Sequence, residues 1–399
     1  MFGKKSKQSP AADDGDKLWT QARDVHEKGD EKKAFDLYLR AANAGSARAL
    51  NSVGVCYMTG FGLKKKTYPV KAVEFFQRGA DAGDASAMLN FANAFAKGDG
   101  VEKNDTKAFE WYCKAAENGD EDALFLMAVA LLEGKGTAKD PCKARDIFSA
   151  AVEKDYLKAY SYLGVCHAQG LGGAKKDQLK ANELFEIASS KGDPRGIFNL
   201  AMAYQHGLGV EVDLSKSLEL HVKAWSEYNH VDSLVMLGVF YSRGIAVLVD
   251  DVRAFEIFSK AAEHKHAEAL NQLGTCYLSG RGTSKDPKKA LLQFKRAADL
   301  NDPTGVFNLA NMYLNGVGIP KDEKKACTLF QSGMNLGSLD AMVSLALCYA
   351  EGTGVEADAQ KAIELMTRAS EKKNVRALFT RAQWLEQGLL VQRDLNESL

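Results

Sequence analysis

Residues 269–282, ALNQLGTCYLSGRG, followed by residues 286–298, DPKKALLQFKRAA, decide how this chain is read. Leu270, Leu273, Gly274 and Tyr277 recur at the three- and four-residue spacing of one helix face, which predicts a first helix with a buried stripe. Gly280 stops that helix, since a left-handed backbone angle is cheap only for glycine. Asp286 opens a second helix, its carboxylate accepting from unpaired N–H groups of the first turn, and Pro287 fits the first helical position because its missing N–H has no partner to lose there. Ala290, Phe294 and Ala297 then give small, large and small residues on one face.

The pattern repeats along the chain. The loop glycines are Gly60 and Gly62, Gly98 and Gly100, Gly134 and Gly136, Gly170 and Gly172, Gly207 and Gly209, Gly280 and Gly282, Gly316 and Gly318, and Gly352 and Gly354; Gly244 and Gly388 keep only the first of the pair. The steps between first glycines are 38, 36, 36, 37, 37, 36, 36, 36 and 36 residues. A fixed period of this size means a solenoid, because each unit buries its apolar face only against its neighbours. The Gly274 place is always Gly or Ala, as at Gly54, Ala92 and Gly238, which predicts close approach of two helices. The Asp286 place holds Asp140, Asp177, Asp213, Asp250, Asp322 and Asp358, with Asn104 once.

The reading is therefore all-α: a right-handed solenoid of antiparallel helix pairs, about ten repeats of 36–38 residues plus a shorter N-terminal pair. Residues 1–15 read as a disordered tail, 16–45 as the short pair (Leu18, Ala22, Val25, Gly29, Ala34, Tyr38, Ala41), 46–374 as nine full repeats and 375–399 as a partial C-terminal repeat.

This register resembles the Sel-one-like repeat, a longer-looped relative of the tetratricopeptide repeat, from Leu18 nearly to the C-terminus. The resemblance implies a superhelix whose first helices line a concave groove used to bind peptides or partner proteins. By analogy with tetratricopeptide repeats, the groove positions are those of Glu268, Asn271, Thr275, Leu278 and Ser279. The Thr275 place holds Val55, Asn93, Val129, Val165, Met202, Val239, Asn311, Leu347 and Gln383; the Asn271 place includes Asn51, Phe125, Phe198, Phe307 and Phe379. Such an apolar and amide lining suits an extended segment or a helix with apolar anchors. Asn93 and Asn311 match the amide of a carboxylate clamp, but Leu89 and Phe307 stand where its lysine belongs. The Phe residues also read as helix–helix packing.

Composition excludes several classes. Lys plus Arg and Asp plus Glu are both 52, so no long-range field gathers nucleic acid or anionic lipid. No stretch approaches the roughly 20 apolar residues that span a bilayer. Lys4, Lys5 and Lys7 precede no apolar run, so the start does not read as a secretory signal. Seven cysteines without tight pairs read as reduced thiols in a cytoplasmic protein. The Cys pairs of the disulfide-stapled, secreted branch of the family are missing.

No catalytic, cofactor or metal site is expected. Cys56, Cys166, Cys276 and Cys348 share one repeat position, but the first three are 110 residues apart and read as small apolar fillers. The Gly-x-Gly loops follow helices, not strands, and so do not form a phosphate cradle. His264 and His266 read as a solvated turn, and Cys166 and His167, adjacent on a helix, point apart. The expected function is a scaffold or adaptor that binds proteins or peptides in the groove. The alternatives are a regulatory subunit, activating or inhibiting a single enzyme, and remotely an enzyme such as a hydrolase.

One region departs from the pattern. His221 replaces the usual aromatic in the helix that starts near Asp213, Trp225 stands beside the expected small residue, and the connector Tyr228-Asn229-His230 lacks its glycine. The next loop is apolar, with Val247 and Leu248 at its tip. Asn51, Asn93, Phe125, Met202, Asn271, Thr275, Asn311, Trp225, Val247 and Leu248 are accordingly the expected partner-binding residues.

Overall fold

The computed structural model describes residues 10–386, which form twenty-one α-helices and no strand among them. Most helices are thirteen residues long and alternate as first and second helices of the repeat, from Ala47–Thr59 and Pro69–Asp81 to Leu339–Glu351 and Ala359–Glu371. The architecture is that of an all-α solenoid. Two compact units divide it, Met1–Gly196 and Ile197–Leu399. Gly388 and the lysines at positions 4, 5 and 7 lie outside the described residues, as do residues 1–9 and 387–399 generally.

Where the sequence reading places a tail to residue 15, the first helix already begins at Pro10 and runs to Glu27. The reason is tertiary. A methyl group on Gly15 would stand 3.0 Å from the amide nitrogen of Ser46 and 3.1 Å from the carbonyl of Ala41, so the helix backbone lies directly on the next connector. Asp16 accepts from the Ser46 hydroxyl at 2.5 Å, and Trp19 Nε1 donates to Ser52 at 2.9 Å.

Within each repeat the packing is a ring laid on a small residue. A methyl group on Gly274 would sit 2.5 Å from the Phe294 ring, and the same overlap recurs at Gly54 with Phe76, Gly164 with Phe185 and Gly238 with Phe258. Phe148, Phe258, Phe294 and Phe330 are fully buried by this arrangement, each contributing on the order of 2–3 kcal/mol of hydrophobic stabilisation.

The loop has two anchors. Gly280 takes φ +77° and donates to the Cys276 carbonyl at 2.8 Å, ending the first helix. Asp286 then reaches back, its N–H donating to the Tyr277 carbonyl at 2.8 Å, while its carboxylate caps the N–H groups of Lys288 and Lys289. The same return bond runs from Asp140 to Leu131, Asp250 to Tyr241, Asp322 to Tyr313 and Asp358 to Tyr349. That bond fixes the loop length and hence the period.

The second glycine does something else. At Gly282, φ is +69° and an added methyl would stand 1.9 Å from the carbonyl oxygen of Asp251, in the preceding repeat. It is therefore the contact through which one repeat's loop stacks on the helix of the repeat before it. One repeat violates this: Ala246 occupies the register of the second glycine at φ +56°. A left-handed alanine costs about 1 kcal/mol or more, so Ala246→Gly is expected to raise stability by about 1 kcal/mol. A urea midpoint equal to or below that of the unchanged protein would contradict this account of the loop.

Candidate interaction surface

The two rows of first-helix residues that the sequence marks for a partner are placed differently. Side chains of the Thr275 place face outward: Val55 and Thr275 are exposed, and Asn93, Val129, Val165, Met202, Asn311 and Leu347 are half-buried, with only Val239 buried. Thr275 donates to the Asn271 carbonyl at 2.9 Å, and Asn93 accepts from the Tyr112 hydroxyl at 2.8 Å. The Asn311 carbonyl accepts from the Asn315 side chain at 2.9 Å.

The Asn271 place lies deeper. Phe125 is buried, its ring 5.1 Å from that of Tyr162 and 5.8 Å from that of Phe148. Asn271 is also buried and donates to Asp302 Oδ2 at 2.7 Å, helping to hold the carboxylate that caps the next first helix. Asn51 accepts from Asn90 at 2.8 Å. Phe125 and Asn271 therefore belong to the packing between helices rather than to the row open to a partner. Asn51, Phe198 and Phe307 are half-buried and Phe379 is 64% exposed.

The departing region divides in the same way. Trp225 is half-buried, with Lys260 5.0 Å from its ring and His264 edge-on at 5.9 Å. Val247 is half-buried, whereas Leu248 is 90% exposed. The apolar character also reaches beyond this loop, and the residue before each capping Asp carries the signal. It is Lys139, Lys176, Lys285 and Lys321, and Ala357 once, but Val212 and Val249 in two consecutive repeats, both 60% exposed.

His221 takes the place of the buried ring. It is fully buried between Phe198 and Phe240, with Nδ1 3.3 Å from the Ser233 hydroxyl and Nε2 without a hydrogen-bond partner among the described residues. Ser217, four residues earlier in the recurring Ala place, is likewise buried with its hydroxyl unpartnered among the described residues. Burial, reinforced by His230, holds the His221 imidazole down at about 4.

His264 and His266, expected together as a solvated turn, differ from one another. His266 caps the helix Ala267–Ser279, Nδ1 accepting from Ala269 N–H at 3.3 Å while Nε2 meets Asp232 Oδ1 at 3.0 Å. Asp232 raises the basicity of that ring. Equivalent clasps between successive repeats join Tyr156 to Asp122 and Asn374 to Asp340.

Among the described residues no group of three His, Cys, Asp or Glu side chains is placed to hold a metal ion, and no helix is long and apolar enough to cross a membrane. Burial pushes the thiols of Cys56 and Cys348 up to about 12 and that of Cys166 to about 11, which removes the reactive thiolate at neutral pH.

Comparison with known proteins agrees with this architecture. The Sel1 repeat model matches residues 25–46, 47–84, 85–120, 121–156, 157–193, 194–224, 231–266, 267–302, 303–338 and 339–374. The crystal structure of a protective antigen of uropathogenic Escherichia coli displaying an SLR fold is similar at TM-score 0.51 and 26% identity, over 94% of this chain and 84% of that one. A Sel1 repeat protein from Oxalobacter formigenes is similar at TM-score 0.55 and 27% identity, over 62% of this chain and 99% of that one. Chitin synthase regulatory factor 3 of Schizosaccharomyces pombe is 33% identical over 88 residues, which is 22% of this chain and 9% of that protein. The chain thus spans about a tenth of that curated relative's length.

Proposed function

The chain belongs to the Sel1 repeat family, and from that premise we propose that it is a scaffold or adaptor that holds partner proteins or peptides along the outward row of its first helices. Sel1 repeat proteins are generally protein-interaction scaffolds. The observation that carries the proposal here is the Thr275 row. It presents uncharged side chains, apolar at Val55, Val129, Val165 and Met202, amide at Asn93 and Asn311 and hydroxyl at Thr275. Within either unit, helices packed side by side lie about 10 Å apart, which is three residues of an extended chain. A partner segment lying along one unit would therefore set an apolar or hydrogen-bonding residue on each repeat whose row position is open. No acid–base pair, activated nucleophile or metal cluster accompanies the row among the described residues, so binding without catalysis is the function proposed.

The test is affinity capture with quantitative mass spectrometry, comparing the unchanged protein with Val55→Glu and Thr275→Glu, both at exposed positions. Loss of bound partners at unchanged helicity is the expected result. Undiminished capture by the doubly substituted protein would remove the row from function. Regulation of a single enzyme is the second reading, favoured by the stretch similar to a chitin synthase regulatory factor. One partner at stoichiometric yield would select it, and several partners would select the scaffold.

A further inference from the structure

We propose that the loop edge of the second unit docks a second copy of this chain, the two copies running antiparallel about a two-fold axis at the loop Gly244–Asp250. This surface is separate from the first-helix row and does not depend on it.

The proposal starts from what the edge presents. In the loop Gly244–Asp250 and the first turn after it, Leu248 is 90% exposed, Val249 60% and Val252 59%. In the repeat before it, Val212 is 60% exposed. The places of Val212 and Val249 hold lysine at Lys139, Lys176, Lys285 and Lys321 and alanine at Ala357, whereas the Val252 place is also exposed and apolar at Val70 and Leu179, so what sets the loop Gly244–Asp250 apart is Leu248 and Val249. Exposed apolar side chains gathered around one loop mark a contact surface.

Charge selects the occupant. On one side of the patch stands Glu211, exposed and making no ion pair among the described residues. On the other stand Lys285 and Lys288, exposed and likewise without an ion pair among the described residues, whereas the neighbouring Arg281 is already bound to Asp251 at 2.8 Å. Over three successive loops the edge thus carries Glu211 and Asp213 beside Val212, then Leu248 and Val249 beside Asp250, then Lys285 and Lys288. A two-fold axis through the middle loop brings the acidic loop of each copy onto the basic loop of the other and stacks Leu248, Val249 and Val252 on their own images. Such a patch is complementary to itself, which is the condition for an isologous dimer. Three loops on three loops is a small interface, so the dimer is weak and reversible.

Sedimentation equilibrium of the full chain, over about 10 to 500 µM, tests this. The weight-average mass is expected to rise from the 43.4 kDa of one chain towards twice that value. Leu248→Lys, which alters a side chain in solvent, is expected to leave a monomer of unchanged helicity throughout. Glu211→Lys and Lys285→Glu should each weaken dimerisation about tenfold, and the two together should restore it, because the exchanged charges again meet as opposites across the axis. A monomer at every concentration overturns the proposal and leaves the patch to a different protein. A dimer that survives Leu248→Lys overturns it, as does a charge-swapped double variant no better than either single one.

Discussion

Gly282→Ala is expected to lower the stability of the second unit by about 3 kcal/mol, whereas Gly280→Ala, two residues away in the same loop, should cost only about 1 kcal/mol. Both glycines have left-handed backbone angles, +69° and +77°, so both substitutions carry the strain of about 1 kcal/mol that an L side chain meets there. The difference lies in the neighbours. At Gly280 the nearest atom to an added methyl is Lys285 Cβ at 3.5 Å, an ordinary contact. At Gly282 it is the Asp251 carbonyl oxygen at 1.9 Å, with the carbonyl carbon at 2.5 Å and Phe255 Cβ at 2.9 Å. Two of these three are backbone atoms of a helix and cannot swing aside. The loop must lift from the preceding repeat, adding an overpacking cost of about 2 kcal/mol. Urea denaturation followed by helicity, with amide hydrogen exchange in residues 251–263 to localise the loss, measures both variants. Equal destabilisation would mean that the second glycine serves only the turn.

The second large effect concerns His221. Its imidazole is neutral and buried, held at about 4 against an ordinary value of 6.5. Because the folded value is the lower one, folding stability is fully present above pH 6.5 and is lost as pH falls, when the unfolded chain takes up the proton that the folded chain refuses. The loss amounts to about 2 kcal/mol between pH 7 and pH 5 and about 3 kcal/mol by pH 4. The groups packed around the ring are Phe198, Phe240 and Ser233, with His230 the titratable one that depresses it further. No carboxylate among the described residues is in contact to rescue the imidazolium. His221→Phe places there the ring found at Phe258, Phe294 and Phe330, and is expected to remove this acid sensitivity. It should also add about 1–2 kcal/mol at pH 7 by eliminating an unpartnered buried nitrogen. The comparison is of urea midpoints for the two proteins between pH 7 and pH 5, read by Trp225 on the same helix. Parallel pH profiles would assign the acid sensitivity to another group.

Helix-pair architecture was legible in the sequence because it is written locally. A buried stripe, a terminating glycine and a capping Asp each act within a few residues, and their recurrence at a fixed step identifies the solenoid without any knowledge of contacts. The Asp286 cap, the small residue at Gly274 and the ring of Phe294 all do in the structure what their spacing implies. The candidate surface was legible only in part. Residues three and four apart on one helix face differ little in sequence, yet the Thr275 row faces outward while Phe125 and Asn271 lie in the packing between helices. Which of the two rows is open depends on where the neighbouring helix crosses, and no local pattern encodes that.

By itself, then, the sequence determined the period, the helix ends and the identity of the core rings, since these follow from backbone preference and hydrophobic spacing within one repeat. Tertiary structure alone decided that the second glycine presses on the preceding repeat's carbonyl and that the helix starting at Pro10 packs on the Ser46 connector. It also decided that His221 is sealed from solvent while Leu248 stands in it. Each of these is a relation between residues about thirty positions apart in the chain, or a matter of solvent access, and becomes defined only when one repeat is laid against the next.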